Sequence, residues 1–122
     1  VLATLLDNGR AWAVVDAAAR RAGVVHVPLP GFFSPAQRRH AIDAAGVDAL
    51  CTAPGAAAGG APLELGTAGL GLAWSRLPGR AVAMPAGTAK ITFTSGTTGT
   101  PKGVCLGADA MAAVAEGVAA AT

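Results

Sequence analysis

The sequence predicts an α/β fold, a mostly parallel sheet with flanking helices, and three observations predict it. Short apolar runs alternate with amphipathic stretches in the order strand, helix, strand, helix, strand over the first 53 residues. That order calls for parallel strands joined by right-handed crossovers. Both amphipathic stretches stop at a glycine, Gly23 or Gly46, the residue type that most readily takes the left-handed conformation past a helix end. An apolar, β-prone run then returns at "AKITFT" (89–94) after a long Gly-, Ala- and Pro-rich interval.

Each element follows from its residues. "VLATLL" (1–6) reads as a buried strand. Asp7-Asn8-Gly9 is a turn that also offers a helix cap. "RAWAVVDAAARRA" (10–22) puts Trp12, Val15, Ala19 and Ala22 on one helical face. "VVHVPL" (24–29) is strand-like and ends at Pro28 and Pro30. The second helix is the best marked. Ser34 caps it, Pro35 takes the first helical position and Gln37 completes a capping box. It runs to about Ala45, and "VDALCT" (47–52) is the third strand.

The pattern then weakens. "APGAAAGGAP" (53–62) has the composition of a flexible connection. Residues 63–88 predict one short strand near Leu70–Trp74. Order returns with the strand at 89–94, where Ile91 and Phe93 share a face. A glycine-rich loop, a short strand "GVCLG" (103–107) and a helix (108–121) follow, with Asp109 near the helix's positive end. The predicted organisation is therefore a βαβαβ unit (1–53), an irregular connection (54–88) and a loop-bearing hairpin with a helix (89–122).

Composition narrows the function classes. At 122 residues the chain is one domain or part of one, long enough to bury roughly two-thirds of its unfolded surface. It is 52% hydrophobic and 13% charged, which excludes intrinsic disorder. Much of the apolar content is alanine, so the core is thin. The net charge of +2 comes from scattered basic residues with no interleaved aromatics, which argues against nucleic acid as a partner. No apolar stretch is long enough to span a membrane. Cys51 and Cys105 sit far apart in apolar runs and read as buried free thiols of a reducing compartment, the cytoplasm. A disulfide or a metal pair is the alternative. The chain starts inside one patterned run and stops inside another, so a fragment is expected.

The chemistry lies in "ITFTSGTTGTPKGV" (91–104). Its glycines let backbone N–H groups converge on one point, and such a concavity binds anions. Ser95, Thr97, Thr98 and Thr100 add hydroxyl donors, and Lys102 adds a mobile positive charge suited to phosphate. Pro101 stiffens the approach to that lysine. The stretch holds no acid. It is not the G-x-x-x-x-G-K-[ST] loop, because Lys102 is followed by Gly103 and a strand rather than by a hydroxyl residue and a helix. A plain hairpin turn is the alternative. Yet some eight residues between strands are more than a connection needs.

"FTSGTTGTPKG", Phe93 to Gly103, resembles the signature phosphate loop of the adenylate-forming superfamily, the AMP-binding acyl-CoA synthetases and their relatives. The upstream stretch from Asp7 to Thr52 is similar to the N-terminal region of those enzymes, so the likeness covers nearly the whole chain. It implies the first part of a large N-terminal domain. It also implies ATP with Mg²⁺, a carboxylic acid such as a fatty acid, and coenzyme A as acceptor. Thr94, Ser95, Gly96, Thr97, Thr98, Gly99, Thr100, Pro101 and Lys102 would wrap the β- and γ-phosphates. Lys102 would offset charge on departing pyrophosphate, where preorganised donors lower the barrier.

The family's adenine motif, ribose aspartate and C-terminal lysine are expected further along, and the rest of the large domain is the implied partner. No catalytic residue and no resident metal ligand is assigned within these 122 residues. A few charge-assisted hydrogen bonds at ~1.5–3 kcal/mol each barely offset an association cost of ~4–15 kcal/mol. The isolated segment is therefore expected to bind ATP weakly and to form no adenylate. The Thr97-Thr98 pair leans toward the acyl-CoA branch. An adenylation domain of a peptide or polyketide assembly line, a non-catalytic nucleotide-binding module and a gene remnant are the other readings.

Other polar residues receive structural roles. His26 has no partner near it in sequence and reads as half-exposed or hydrogen-bonded. His40, beside Arg38 and Arg39, reads as a solvated face, and Trp12 and Trp74 as packing residues. Cys105 reads as a buried strand residue rather than a nucleophile. Glu64, Asp109 and Glu116 form no catalytic pair.

Overall fold

A computed structural model of the chain describes residues 1–56, 60–95 and 99–121. The first three strands are β1 (Leu2–Leu5), β2 (His26–Pro28) and β3 (Ala49–Thr52), separated by α1 (Arg10–Ala22) and α2 (Pro35–Ala45). After them come β4 (Ala61–Leu63), a 3₁₀ turn (Gly66–Gly69), β5 (Ala73–Arg76), β6 (Thr88–Ser95), β7 (Pro101–Gly107) and α3 (Ala108–Ala121). All seven strands form one sheet in the order β4-β5-β3-β1-β2-β6-β7. Its centre, β3-β1-β2-β6, is parallel, while β5, β4 and β7 add antiparallel edges. The α/β class, with a parallel centre and flanking helices, is the one the sequence predicts.

The helices form where local signals place them. Ser34 accepts from the Gln37 N–H while the Gln37 side chain accepts from the Ser34 N–H, and Pro35 opens the helix. Gly23 and Gly46 both take the left-handed conformation at the C-caps. The cap expected at Asp7-Asn8-Gly9 falls on Gly9, and no side chain closes it. Ala22 is exposed rather than part of the packed face, and Val15 and Ala19 carry the burial of α1.

Strand order and right-handed crossovers put α1 and α2 on opposite faces, because the chain moves outward from β1 to β2 and then back across β1 to β3. The α2 face holds the core: Ala3, Val27, Leu29, Phe33, Ala41, Ala45, Val47, Leu50, Ile91 and Phe93. Five of these ten are Ala or Val, which is the thin core expected from composition. The opposite face packs Val15 and Ala19 over Thr4 and His26.

The interval read as an irregular connection contains structure. β4 lies within it, and β5 is shifted toward the C-terminus from the strand expected near Leu70–Trp74. Leu70 and Gly71 both have positive φ, 59° and 69°, so the chain turns there and extends only from Ala73.

Candidate functional site

All four central strands run the same way, so β6 ends at Ser95 on the same side as β1, β2 and β3. The loop after β6 therefore stands at the carboxyl edge of the sheet, where open α/β folds place their ligands. α2 follows β2 and begins at that edge too.

β6 and β7 pair with Ser95 opposite Pro101, Thr94 opposite Lys102 and Phe93 opposite Gly103. The strand pairing thus leaves only residues 96–100 between the two strands. The expectation of a longer connection is corrected: Pro101 and Lys102 belong to the strand, with proline at its first position, where its missing N–H is tolerated. A turn of this length is ordinary for a hairpin, so length gives no support to a ligand. The donors and their exposure do. Thr94, Ser95, Gly99, Thr100 and Lys102 are exposed, and Pro101 is buried. Gly96, Thr97 and Thr98 lie outside the described residues.

Directly opposed residues of an antiparallel pair share a face, so the Thr94 hydroxyl and the Lys102 ammonium stand on the same side of the hairpin. Among the described residues Lys102 makes no ion pair. The base of the loop is packed: a Cβ on Gly103 would lie 3.1 Å from two Phe93 ring carbons and 3.3 Å from Ile91 Cγ2. Glycine lets the ring of β6 close against β7 just below the loop.

A second contact holds the loop from the side. Gln37 Nε2 donates to the Gly99 carbonyl at 3.2 Å, across 62 residues of sequence. Sequence reasoning found no helix start after the loop. The start of α2, far upstream, is brought beside it instead. The capping box revealed Gln37, but nothing in the sequence revealed its second partner.

The α1 face carries a separate polar cluster. His26 Nδ1 lies 2.8 Å from Asp16 Oδ1, and His26 Nε2 lies 2.8 Å from Thr4 Oγ1. Lys90 Nζ is 2.9 Å from Asp16 Oδ1 and sits over the Trp12 ring, 5.1 Å from its centroid. A carboxylate only accepts, so Nδ1 carries the proton and Nε2 accepts from Thr4. Burial pushes the Asp16 carboxyl upward, but Lys90 and His26 together outweigh it and hold it below the usual range. Burial pushes the His26 imidazole down, against Asp16. His26 thus has the partners that its sequence neighbourhood did not show. Thr4 is 1% exposed and His26 1%, so the bond between them is sealed from solvent, while Asp16 and Lys90 stay partly exposed.

Of the two thiols, Cys51 is buried, and burial pushes it up to about 11. Cys105 is exposed, which corrects the expectation of a buried thiol. The core ends at Ile91 and Phe93, one strand short of β7. Both cysteines are free.

The family model for the AMP-binding enzyme matches residues 1–122. The chain belongs to the AMP-binding enzyme family. No curated protein and no solved structure matches it. As an AMP-binding enzyme it is an adenylate-forming ligase type that uses ATP and a carboxylate substrate. Among the described residues no helix of this AMP-binding enzyme is long and apolar enough to cross a membrane, and no group of His, Cys, Asp and Glu is arranged to hold a metal ion.

Proposed function

We propose that this chain is the phosphate-holding part of an AMP-forming acid–CoA ligase, which activates a carboxylic acid as its acyl-adenylate and passes the acyl group to coenzyme A. The supporting observation is that Thr94, Ser95, Gly99, Thr100 and Lys102 are exposed at the carboxyl edge of the sheet, and that among the described residues Lys102 makes no ion pair. In this reading Thr94, Ser95, Gly96, Thr97, Thr98, Gly99, Thr100, Pro101 and Lys102 form the cradle for the β- and γ-phosphates. The first βαβαβ unit (1–53) is the scaffold, 54–88 the connection and 89–122 the phosphate-holding unit.

The chemistry asks the loop to hold charge. Attack of a carboxylate oxygen on the α-phosphorus forms the acyl–phosphate bond and breaks the bond to pyrophosphate. The leaving group gains negative charge, and fixed hydroxyl and backbone donors receive it without reorganisation. Lys102 supplies a positive charge within the loop segment itself. The donor set fits a magnesium nucleotide: Mg²⁺ takes oxygen ligands and is commonly held through substrate phosphates, and the loop adds no competing carboxylate. A fatty acid is the proposed substrate class, and the free thiols support a reducing, cytoplasmic setting.

The test uses the full-length protein in acid-dependent ATP–pyrophosphate exchange with a panel of short- to long-chain acids, followed by addition of coenzyme A. Exchange with a fatty acid and a thioester product supports the proposal. Exchange with acyl transfer only to a carrier domain assigns an assembly-line adenylation domain. ATP binding without exchange for any acid leaves a nucleotide-binding module, and no ATP binding leaves a gene remnant.

A further inference from the structure

We propose that Gln37 is a positioning residue for the phosphate loop, fastening it to the start of α2 so that the loop's donors are already arranged when a polyphosphate arrives. The inference rests on the nucleotide reading of the loop and adds a residue from outside it.

Gln37 uses both ends of its side-chain amide. Its Oε1 accepts from the Ser34 N–H at 2.8 Å, and its Nε2 donates to the Gly99 carbonyl at 3.2 Å. Reversing the amide would set N–H against N–H and oxygen against carbonyl, so the two contacts fix one orientation. The backbone N–H of Gln37 also donates to Ser34 Oγ at 3.1 Å. The side chain is therefore held by the helix start at one end and presents a donor to the loop at the other.

Capping alone does not call for glutamine. Glutamate completes a capping box equally well and adds a favourable charge at a helix N-terminus. Only the amide both accepts from Ser34 and donates to Gly99, and a carboxylate would face the Gly99 carbonyl with no proton to give. The residue type at position 37 is thus explained by the loop contact rather than by the cap. Gly99 has φ of 77°, a conformation other residues rarely adopt. Its carbonyl accepts from the Gln37 side chain at the start of α2. The tether lowers the ordering cost of binding, because a Gly99 backbone already held gives up less freedom when phosphate binds.

Three variants of the full-length protein separate this role from helix capping. Gln37→Glu keeps the cap and loses the tether, Gln37→Met loses both without adding charge, and Ser34→Ala loses the hydroxyl of the cap and keeps the tether. ATP and inorganic tripolyphosphate are titrated by calorimetry. Hydrogen exchange at the Gly99 and Thr100 amides is followed without nucleotide, and melting temperatures are taken in parallel.

The expected result is a roughly three- to tenfold loss of affinity for both Gln37 variants, the size of one hydrogen bond, with faster exchange at Gly99 and Thr100. Ser34→Ala lowers the melting temperature and leaves affinity and exchange unchanged. Wild-type affinity in Gln37→Met overturns the proposal. So does a loss confined to Gln37→Glu that disappears at high salt, which marks charge repulsion alone. Unchanged exchange in both Gln37 variants overturns it too, even where the wild type binds no ATP. Absence of ATP binding by the wild type counts instead against the nucleotide reading.

Discussion

His26 Nδ1 donates to the Asp16 carboxylate at 2.8 Å, joining β2 to α1 beneath a lysine that reaches Asp16 from β6. This pair makes the fold sensitive to acid. Burial lowers the His26 imidazole below its ordinary 6.5, so the unfolded chain binds protons that the folded chain refuses. The stability this represents is complete above about pH 6.5 and declines as pH falls from there toward the folded value. Asp16 is also held low. Its contribution is present above 3.8 and is lost as pH falls through the folded value. Urea midpoints measured from pH 7 to pH 3 should therefore fall in two stages. His26→Gln should flatten the first stage.

Asp16→Asn should destabilise at neutral pH by about 1–3 kcal/mol, since it removes the charge that both Lys90 and His26 address. The loss should shrink as pH falls below 3.8, because the unfolded chain then takes up a proton that the folded carboxyl resists. Equilibrium denaturation at neutral and at low pH checks this, and an undiminished loss at low pH would count against the assignment.

Gly103 tolerates no methyl without displacement of the Phe93 ring. Gly103→Ala should cost about 1–3 kcal/mol as an overpacking change and should weaken ATP binding, because the ring lies at the base of the loop. Phe93→Leu removes the ring carbons it would meet. The double variant should then be more stable than the two single losses predict, and a denaturation double-mutant cycle reads that coupling.

Lys102 is exposed and, among the described residues, makes no ion pair. Lys102→Ala should leave the melting temperature near wild type while lowering acid-dependent pyrophosphate exchange by roughly 10²-fold, the usual cost of removing one preorganised donor from a developing charge. Lys102→Arg should recover part of the rate. A large drop in melting temperature would show that the lysine is structural.

Two helix ends that look alike should respond differently. Gly23 and Gly46 are both left-handed caps, yet a Cβ on Gly23 meets nothing within 4 Å and one on Gly46 falls 2.2 Å from the Arg80 carbonyl oxygen. Gly23→Ala should cost about 1–2 kcal/mol, the conformational penalty alone. Gly46→Ala should cost more, and thermal melts of the two variants compare them directly.

Much of the fold was legible because its signals are local. The capping box at Ser34–Gln37 and the stop glycines mark α2 and the end of α1 without reference to the rest of the chain. β4 was not legible: Pro62 within it and the glycines before it argue for a connection, and it forms an edge strand only because β5 offers a partner. Cys105 reads as buried by its apolar neighbours, but burial of a strand depends on whether anything covers it, and β7 is an edge.

The length of the connection after β6 was overread. Pro101 looks like loop in sequence, yet a strand accepts it at the first position. The roles of Gln37 and Asp16 depend on contacts between distant segments. Residue type suggests such contacts and the fold alone supplies them.

The strand order also sets a timetable. β6 joins the sheet beside β2, but the chain lays down β3, β4 and β5 on the far side before returning. Until residues 88–95 leave the ribosome, the outer edge of β2 has no neighbour, and Gln37, made early, waits beside an empty place. Among the described strands, the hairpin that carries the loop is the last pair to arrive. A nascent chain stalled before residue 88 would display that edge for as long as the stall lasts.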